Sequence, residues 1–379
     1  VHNVISKTVA MSRTTMHKNL NAARVRVGLL AGLALPALAL AQPATTAPLK
    51  VAFVYVTPVG QAGWTYQHDL GRQAMERALG AAVTTTVVAD VAEGPDAERV
   101  MRDLAAQGHQ LIFATSFGYL ESALRVAAEF PGVRIEHAGG YKTAINLNTY
   151  NVRAYEARWL AGRLAALNSK RGVAGYVAGF PVPEVVQGIN AFALGMRSVN
   201  PKASVRVVWL NTWFDPARER DAAIALVNQG ADVLANHTAS PAVATAAEEK
   251  GVRLIANQSD MSAFAPRAQL AAVVAQWGGF YTQVARDVLA GRWKVEPVWG
   301  GLGSGMVDLA ALNPKLRAGQ RKAIETARQA LVSGRTAVFG APLTDNQGRQ
   351  RLARGALGDD AIAKMDWLVQ GVVGNVPSK

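Results

Sequence analysis

Two tryptophans stand where they can do chemistry by contact. Trp64 lies in Thr57-Pro-Val-Gly-Gln-Ala-Gly-Trp-Thr, and Trp213 in Asn211-Thr-Trp-Phe-Asp-Pro; each follows a short apolar run. Glycines beside an aromatic let backbone approach a ligand closely. Two such rings can hold a flat heterocycle between them, at about 1–3 kcal/mol per stacked base. Polar groups in comparable loops can read its edge: Gln61, Ser116, Asn211, Gln258, Asp260 and Gln276. A carboxylate such as Asp260 accepts from a ring N–H or an exocyclic amine. Phe117, Gly118, Thr238 and Trp277 share these loops and complete the candidate binding set. Trp159, Trp209, Trp293, Trp299 and Trp367 read instead as packing residues.

Other chemistries find less support. His68-Asp69 are adjacent, so on a helix they point about 100° apart and form no ready dyad. His137 and His237 lack metal-ligand spacing. Gly300-Gly-Leu-Gly-Ser-Gly305 lacks the GK[ST] ending of a phosphate-binding loop and reads as a flexible crossing. Zero cysteines exclude a Cys nucleophile, a thiolate metal site and a disulfide scaffold. No catalytic residue, metal or cofactor is expected.

The elements that must carry these loops alternate. Val51–Val56 reads as a buried strand, Trp64–Leu79 as an amphipathic helix ended by Gly80, and Val83–Val88 as a strand. A helix over 95–107, a strand at Leu111–Ala114, a helix around 120–130 and a strand at Arg134–His137 follow. This is the grammar of a parallel sheet with helices on both faces. The pattern restarts 122 residues on: Val51–Val56 maps onto Val173–Ala178, Leu104–Gly108 onto Leu226–Gly230, and, with three residues deleted, Gly132–Ile135 onto Gly251–Leu254. Two similar Rossmann-like α/β lobes follow, with ligand loops at the carboxyl ends of the strands and a cleft between them. Lobe one is expected at 48–152 with about 276–312, lobe two at 153–275, and a tail at 313–379 packs on one of them. The hinge is expected near Asn151–Arg153, with further crossings near Gln276 and after Trp299. In the tail, helices are expected at about 316–331 and 359–370.

The formal charge of +13 invites nucleic acid. Five of those charges, Lys7, Arg13, Lys18, Arg24 and Arg26, precede an apolar run at 27–40 that ends Ala39-Leu-Ala41. That is the pattern of a secretory signal peptide at 1–41, with 1–10 as a possible upstream extension and Met11 or Met16 as start. Without it, 35 basic residues face 27 acidic, scattered rather than set in an aromatic-lined stripe. Nucleic-acid binding is not expected. No later stretch reaches about 18 apolar residues. Export without an anchor cysteine implies a protein free in the periplasm.

Five segments together carry a family resemblance: Gly63-Trp-Thr-Tyr-Gln-His-Asp69, Thr115-Ser-Phe-Gly118, Pro183-Glu-Val-Val-Gln-Gly-Ile-Asn190, Trp213-Phe-Asp-Pro216 and Gln258-Ser-Asp-Met261. Over about 48–310 the chain resembles the basic membrane protein family, substrate-binding proteins of ABC importers that include purine nucleoside receptors of the PnrA type. The resemblance implies a type I periplasmic-binding-protein fold, a monomer, a purine ligand, and permease and ATPase partners. It implies that Trp64 and Trp213 clamp the base and that Asp260 reads it. Nucleoside-binding members carry Asp-Lys or Asp-Asn in the first loop and a Lys near the crossing. Gln61 and Gln276-Trp277 stand there here, which fits a free base, adenine above others. A nucleoside receptor, a ligand-sensing domain and an exported nucleoside hydrolase are the alternatives.

Overall fold

The computed structural model describes residues 47–377; the expected leader and its candidate starts lie outside the described residues. Five strands follow one another in the first half: β1 (Leu49–Val54), β2 (Val83–Val88), β3 (Leu111–Ala114), β4 (Arg134–Ala138) and β5 (Leu147–Val152). Helices α1 (Trp64–Leu79), α2 (Pro95–Ala106) and α3 (Leu120–Glu129) connect the first four. β1 and β3 are apolar and almost wholly buried, as central strands covered on both faces require, while the edge strand β2 is only partly covered. α2 opens on Pro95 with Asp96 and Glu98 in its first turn, where proline costs nothing and acids face the positive end of the helix.

After α4 (Ala154–Ala166) the pattern repeats. Strands β6 (Val173–Ala178), β7 (Ser204–Trp209), β8 (Val233–His237), β9 (Arg253–Gln258) and β10 (Gln269–Ala275) alternate with α5 (Pro183–Arg197), α6 (Pro216–Asn228) and α7 (Ala242–Lys250). Next come α8 (Trp277–Leu289), β11 (Val298–Gly300) and β12 (Val307–Ala310). One sheet has the order β11-β5-β4-β3-β1-β2 and is parallel throughout. The other begins β12-β10-β9-β8-β6-β7, with only β12 antiparallel.

Backbone hydrogen bonds fix the repeat more finely than residue similarity does. Gln110 N–H donates to Lys50 O at 3.0 Å, and Asp232 N–H to Val173 O at 3.1 Å. Arg134 N–H donates to Gln110 O at 2.9 Å, and Arg253 N–H to Asp232 O at 3.0 Å. The offset is therefore 122 at Gln110 and Asp232 and 119 at Arg134 and Arg253, but 123 at Lys50 and Val173. Val51 corresponds to Ala174, not to Val173 as the uniform offset predicts. A one-residue slip exchanges the two faces of a strand. The corrected register puts Val51, Phe53 and Tyr55 with Ala174, Tyr176 and Ala178 in one buried cluster.

The chain passes between the sheets after β5, after β10 and after β11. The expectation that 276–312 belongs wholly with the first sheet fails at β12, which pairs with β10. α4 leaves β5 to pack against α5, β10 and β12, while α8 returns to pack on α1. Arg153 ties these passages together. Its N–H donates to Gly300 O at 2.7 Å and its Nε to Trp299 O at 3.0 Å, and its guanidinium pairs with Asp359.

The C-terminal segment adds α9 (Ala318–Val332), a hairpin β13 (Leu343–Thr344) with β14 (Gln350–Leu352), α10 (Asp359–Ala363) and β15 (Val372–Val373). It covers the second sheet: β15 extends that sheet beside β7. Asn190 of α5 pins it by donating to Trp367 O at 2.7 Å and accepting from Val369 N–H at 2.9 Å. The helix expected over 359–370 ends at Ala363, because the residues beyond it serve these tertiary bonds rather than a helical ladder.

Candidate functional site

A pocket opens between the carboxyl ends of the two sheets. Of the candidate binding residues, Trp64, Ser116, Phe117, Trp213, Thr238 and Gln258 line it. Val56, Ala138, Gly139, Glu184, His237, Ala239 and Asn257 line it as well.

Trp64 opens α1. Its indole N–H donates to Thr115 O at 2.6 Å. Its ring meets the edge of His68 at 4.3 Å and that of Trp277 at 5.9 Å. His68 stacks on Trp277 at 4.8 Å and bonds the Tyr281 hydroxyl, which bonds Tyr150 at 2.9 Å. Burial holds His68 far below the usual imidazole range, so it is a neutral member of this wall. Asp69 bonds Arg72 and Gln73 instead, so the two neighbours of the His-Asp pair serve different networks.

Trp213 is placed from the other sheet. Its carbonyl accepts from Ala239 N–H at 2.9 Å, and its ring meets Phe180 at 5.0 Å. A Cβ on Gly179 would lie 2.8 Å from the Trp213 ring, so that glycine makes room for the indole. Phe117 sits in a loop held by Glu93, which accepts from the Ser116 hydroxyl at 2.6 Å and Gly118 N–H at 3.0 Å.

Several candidate readers are used up or stand elsewhere. Gln61 and Asn211 are exposed and outside the pocket lining, and Gly118 only anchors its loop. The Asp260 carboxylate accepts from Gln269 Nε2 at 2.7 Å and Ser262 N–H at 2.9 Å, so it caps the turn after β9 instead of facing the pocket. Burial pushes its pKa up, and those bonds outweigh it and leave it below the ordinary value. Gln276 is exposed on the outer side of α1 and α8. Trp277 is buried behind Trp64 and supports it. Thr238 lines the pocket but donates its hydroxyl to Glu219 at 2.8 Å.

The groups with hydrogen-bonding capacity left are others. Glu184, in the first turn of α5, accepts from Asn151 Nδ2 at 3.1 Å and stands 3.7 Å from His237 Nε2. Burial raises its pKa, against the pull of Asn151 and Arg158. His237 is held neutral by burial and by Arg158. Arg158 is 1% exposed; it donates to Asn236 O at 3.0 Å and to Asn257 Oδ1. A guanidinium only donates, so Asn257 must turn its oxygen to Arg158, leaving Nδ2 with only a 3.5 Å contact to Thr238 O. Gln258 adopts φ 63°, a left-handed conformation costing a side-chain residue about 1–2 kcal/mol. Nothing in the segment Pro183–Asn190 itself singles out Glu184, because the groups around it arrive from β5, α4 and β8.

The loop before α1 reaches across the cleft. Gly63 N–H donates to Ser259 Oγ at 2.7 Å, and Ala62 is buried in a core cluster of the second sheet. Gly63 has φ 92°, and a Cβ there would lie 2.1 Å from Ala239 O, so only glycine lets the two backbones meet.

Comparison with known proteins returns a consistent group. The family model described as ABC transporter substrate-binding protein PnrA-like matches residues 49–338. A purine-binding protein of Brucella abortus is 45% identical over 87% of this chain and 94% of its own. A Haloferax volcanii protein named as a candidate ABC transporter glucose-binding protein is 33% identical over 89% of this chain and 83% of its own. Among solved structures, an ABC transporter solute-binding protein from Conexibacter woesei aligns with TM-score 0.62 at 21% identity, covering 76% of this chain and 98% of its own. A solute-binding protein from Aeropyrum pernix aligns with TM-score 0.65 at 18% identity, covering 83% and 95%.

Proposed function

Because the chain belongs to the PnrA-like family of ABC transporter substrate-binding proteins, we propose that it binds a purine nucleobase, adenine ahead of others, between Trp64 and Trp213 and delivers it to a permease from the periplasm. The family consists of binding proteins rather than enzymes, and it implies a small-molecule ligand and transporter partners. Among the described residues no helix is long and apolar enough to cross a membrane.

One observation carries the purine reading: two tryptophans supplied from opposite sheets border a single pocket, together with Phe117. Flat apolar walls suit a heteroaromatic ring, whose faces stack and whose edge takes few hydrogen bonds. The Brucella relative, a purine-binding protein, supports this. A hexose presents hydroxyls around its whole rim. Here the pocket hydroxyls of Ser116 and Thr238 already donate to Glu93 and Glu219.

The test is calorimetric titration of ligand-stripped protein with adenine, adenosine and glucose. The expected outcome is one equivalent of adenine bound intact, with adenosine weaker and glucose silent. Binding of glucose alone would sink the purine reading, and cleavage of adenosine would make the protein a hydrolase.

A further inference from the structure

We infer that Glu184 and Asn257 form the specificity element of the pocket, an acceptor and a donor on its wall that select a 6-amino purine over a 6-oxo one. This assignment rests on the purine reading above. Both residues line the pocket; buried Arg158 holds the Asn257 side chain and its charge acts on Glu184.

The polarity at each position follows from its neighbours. Glu184 presents a carboxylate whose Oε2 is held by Asn151 of β5. Its other neighbours are Arg158 of α4, His237 of β8 and Tyr176 of β6. Its side chain keeps 19% of its surface. His237 is neutral and stands 3.7 Å away, so Glu184 Oε1 has no strong donor from the protein. A desolvated carboxylate in that state gains most from a ligand N–H. Burial pushes the Glu184 pKa up, as an under-partnered carboxylate requires. Asn257 presents Nδ2 because its oxygen is committed to Arg158.

Adenine carries an N–H donor at the 6-position beside a ring nitrogen acceptor, complementary to this pair. Hypoxanthine carries the reverse, an oxygen acceptor beside an N–H. In the orientation that adenine takes, its oxygen would meet the carboxylate and its N–H the amide donor. Sites built around a ligand N–H reject the analogue that lacks it, because a buried acceptor is left unpaired.

The experiment is calorimetric titration of ligand-stripped wild-type protein and Glu184→Gln with adenine, hypoxanthine and unsubstituted purine. Wild type is expected to bind adenine at least about tenfold more tightly than either analogue. Glu184→Gln, nearly identical in shape, should bring the three within about threefold of one another while the melting temperature holds. Equal affinities in wild type overturn the assignment, as does an adenine preference kept by the folded variant. The wild-type series decides the matter even if the variant fails to fold. A wild type that binds none of the three removes the purine reading and this assignment with it; purine binding without selectivity removes the assignment alone.

Discussion

Trp64 and Trp213 reach one pocket with unequal support. Trp64 is fixed by its bond to Thr115 O and by the His68–Trp277 stack behind it. Trp213 stands over Gly179 with Phe180 at its edge. Replacing either with alanine removes one stacking face, so each variant should bind adenine about 5- to 150-fold more weakly, as titration would read. Both residues are half-buried, so both variants should keep a near-native melting temperature. Affinity equal to wild type in both would discard the clamp. At this scale the aromatic residues were legible, because a large ring after a strand in a Gly-rich loop has few other uses. The polar readers were not. Asp260 carries the right chemistry and spends it on Gln269 and Ser262, while Glu184 keeps capacity that only its neighbours reveal.

Loops and the tail decide how the pocket is closed and braced. The loop before α1 meets the second sheet through Gly63 and Ser259. If this contact belongs to the ligand-bound arrangement, Ser259→Ala should weaken ligand binding about 2- to 13-fold, as one hydrogen bond of about 0.5–1.5 kcal/mol does, and leave ligand-free stability unchanged. Parallel titration and melting separate the two effects; a lower melting point at full affinity would contradict it. Asn190 acts differently. It is fully buried and serves three groups of the tail, Trp367 O, Met365 Sδ and Val369 N–H. Asn190→Ala leaves buried backbone groups unpaired and should cost about 2–4 kcal/mol in urea unfolding. The helices and central strands could be placed from apolar periodicity and glycine stops. The strands β11 and β15, three and two residues long, are too short for any pattern to declare them.

Across the whole molecule, buried acids tie stability to pH. Glu136 of β4 is fully buried and accepts from Trp293 Nε1 at 2.8 Å and Asn148 Nδ2 at 3.2 Å. Asn148 also exchanges hydrogen bonds with the backbone of Glu296, so the carboxyl helps fasten the segment between α8 and β11 to the first sheet. Burial pushes Glu136 up to about 7 from an ordinary 4.5. Between those values the folded protein holds a proton that the unfolded chain gives up, so the contribution is full below 4.5 and is lost as pH rises to 7. Glu136→Gln removes this loss. Its stability relative to wild type should be unchanged at pH 4 and rise toward about 3 kcal/mol by pH 8. Urea unfolding across that range checks it, and parallel curves for the two proteins would refute the assignment.

The sequence by itself determined the α/β class, the internal repeat and the two aromatic residues, since periodicity and loop composition are local properties written along the chain. It also carried enough of the family pattern to point to a substrate-binding protein. Only the tertiary structure decided which polar groups face the pocket, where the tail packs and how the repeat registers. Whether a carboxylate is free or spent depends on donors that arrive from distant elements, such as Asn151 and Arg158 around Glu184. Register likewise depends on pairings across the sheet, where a slip of one residue turns a core face outward.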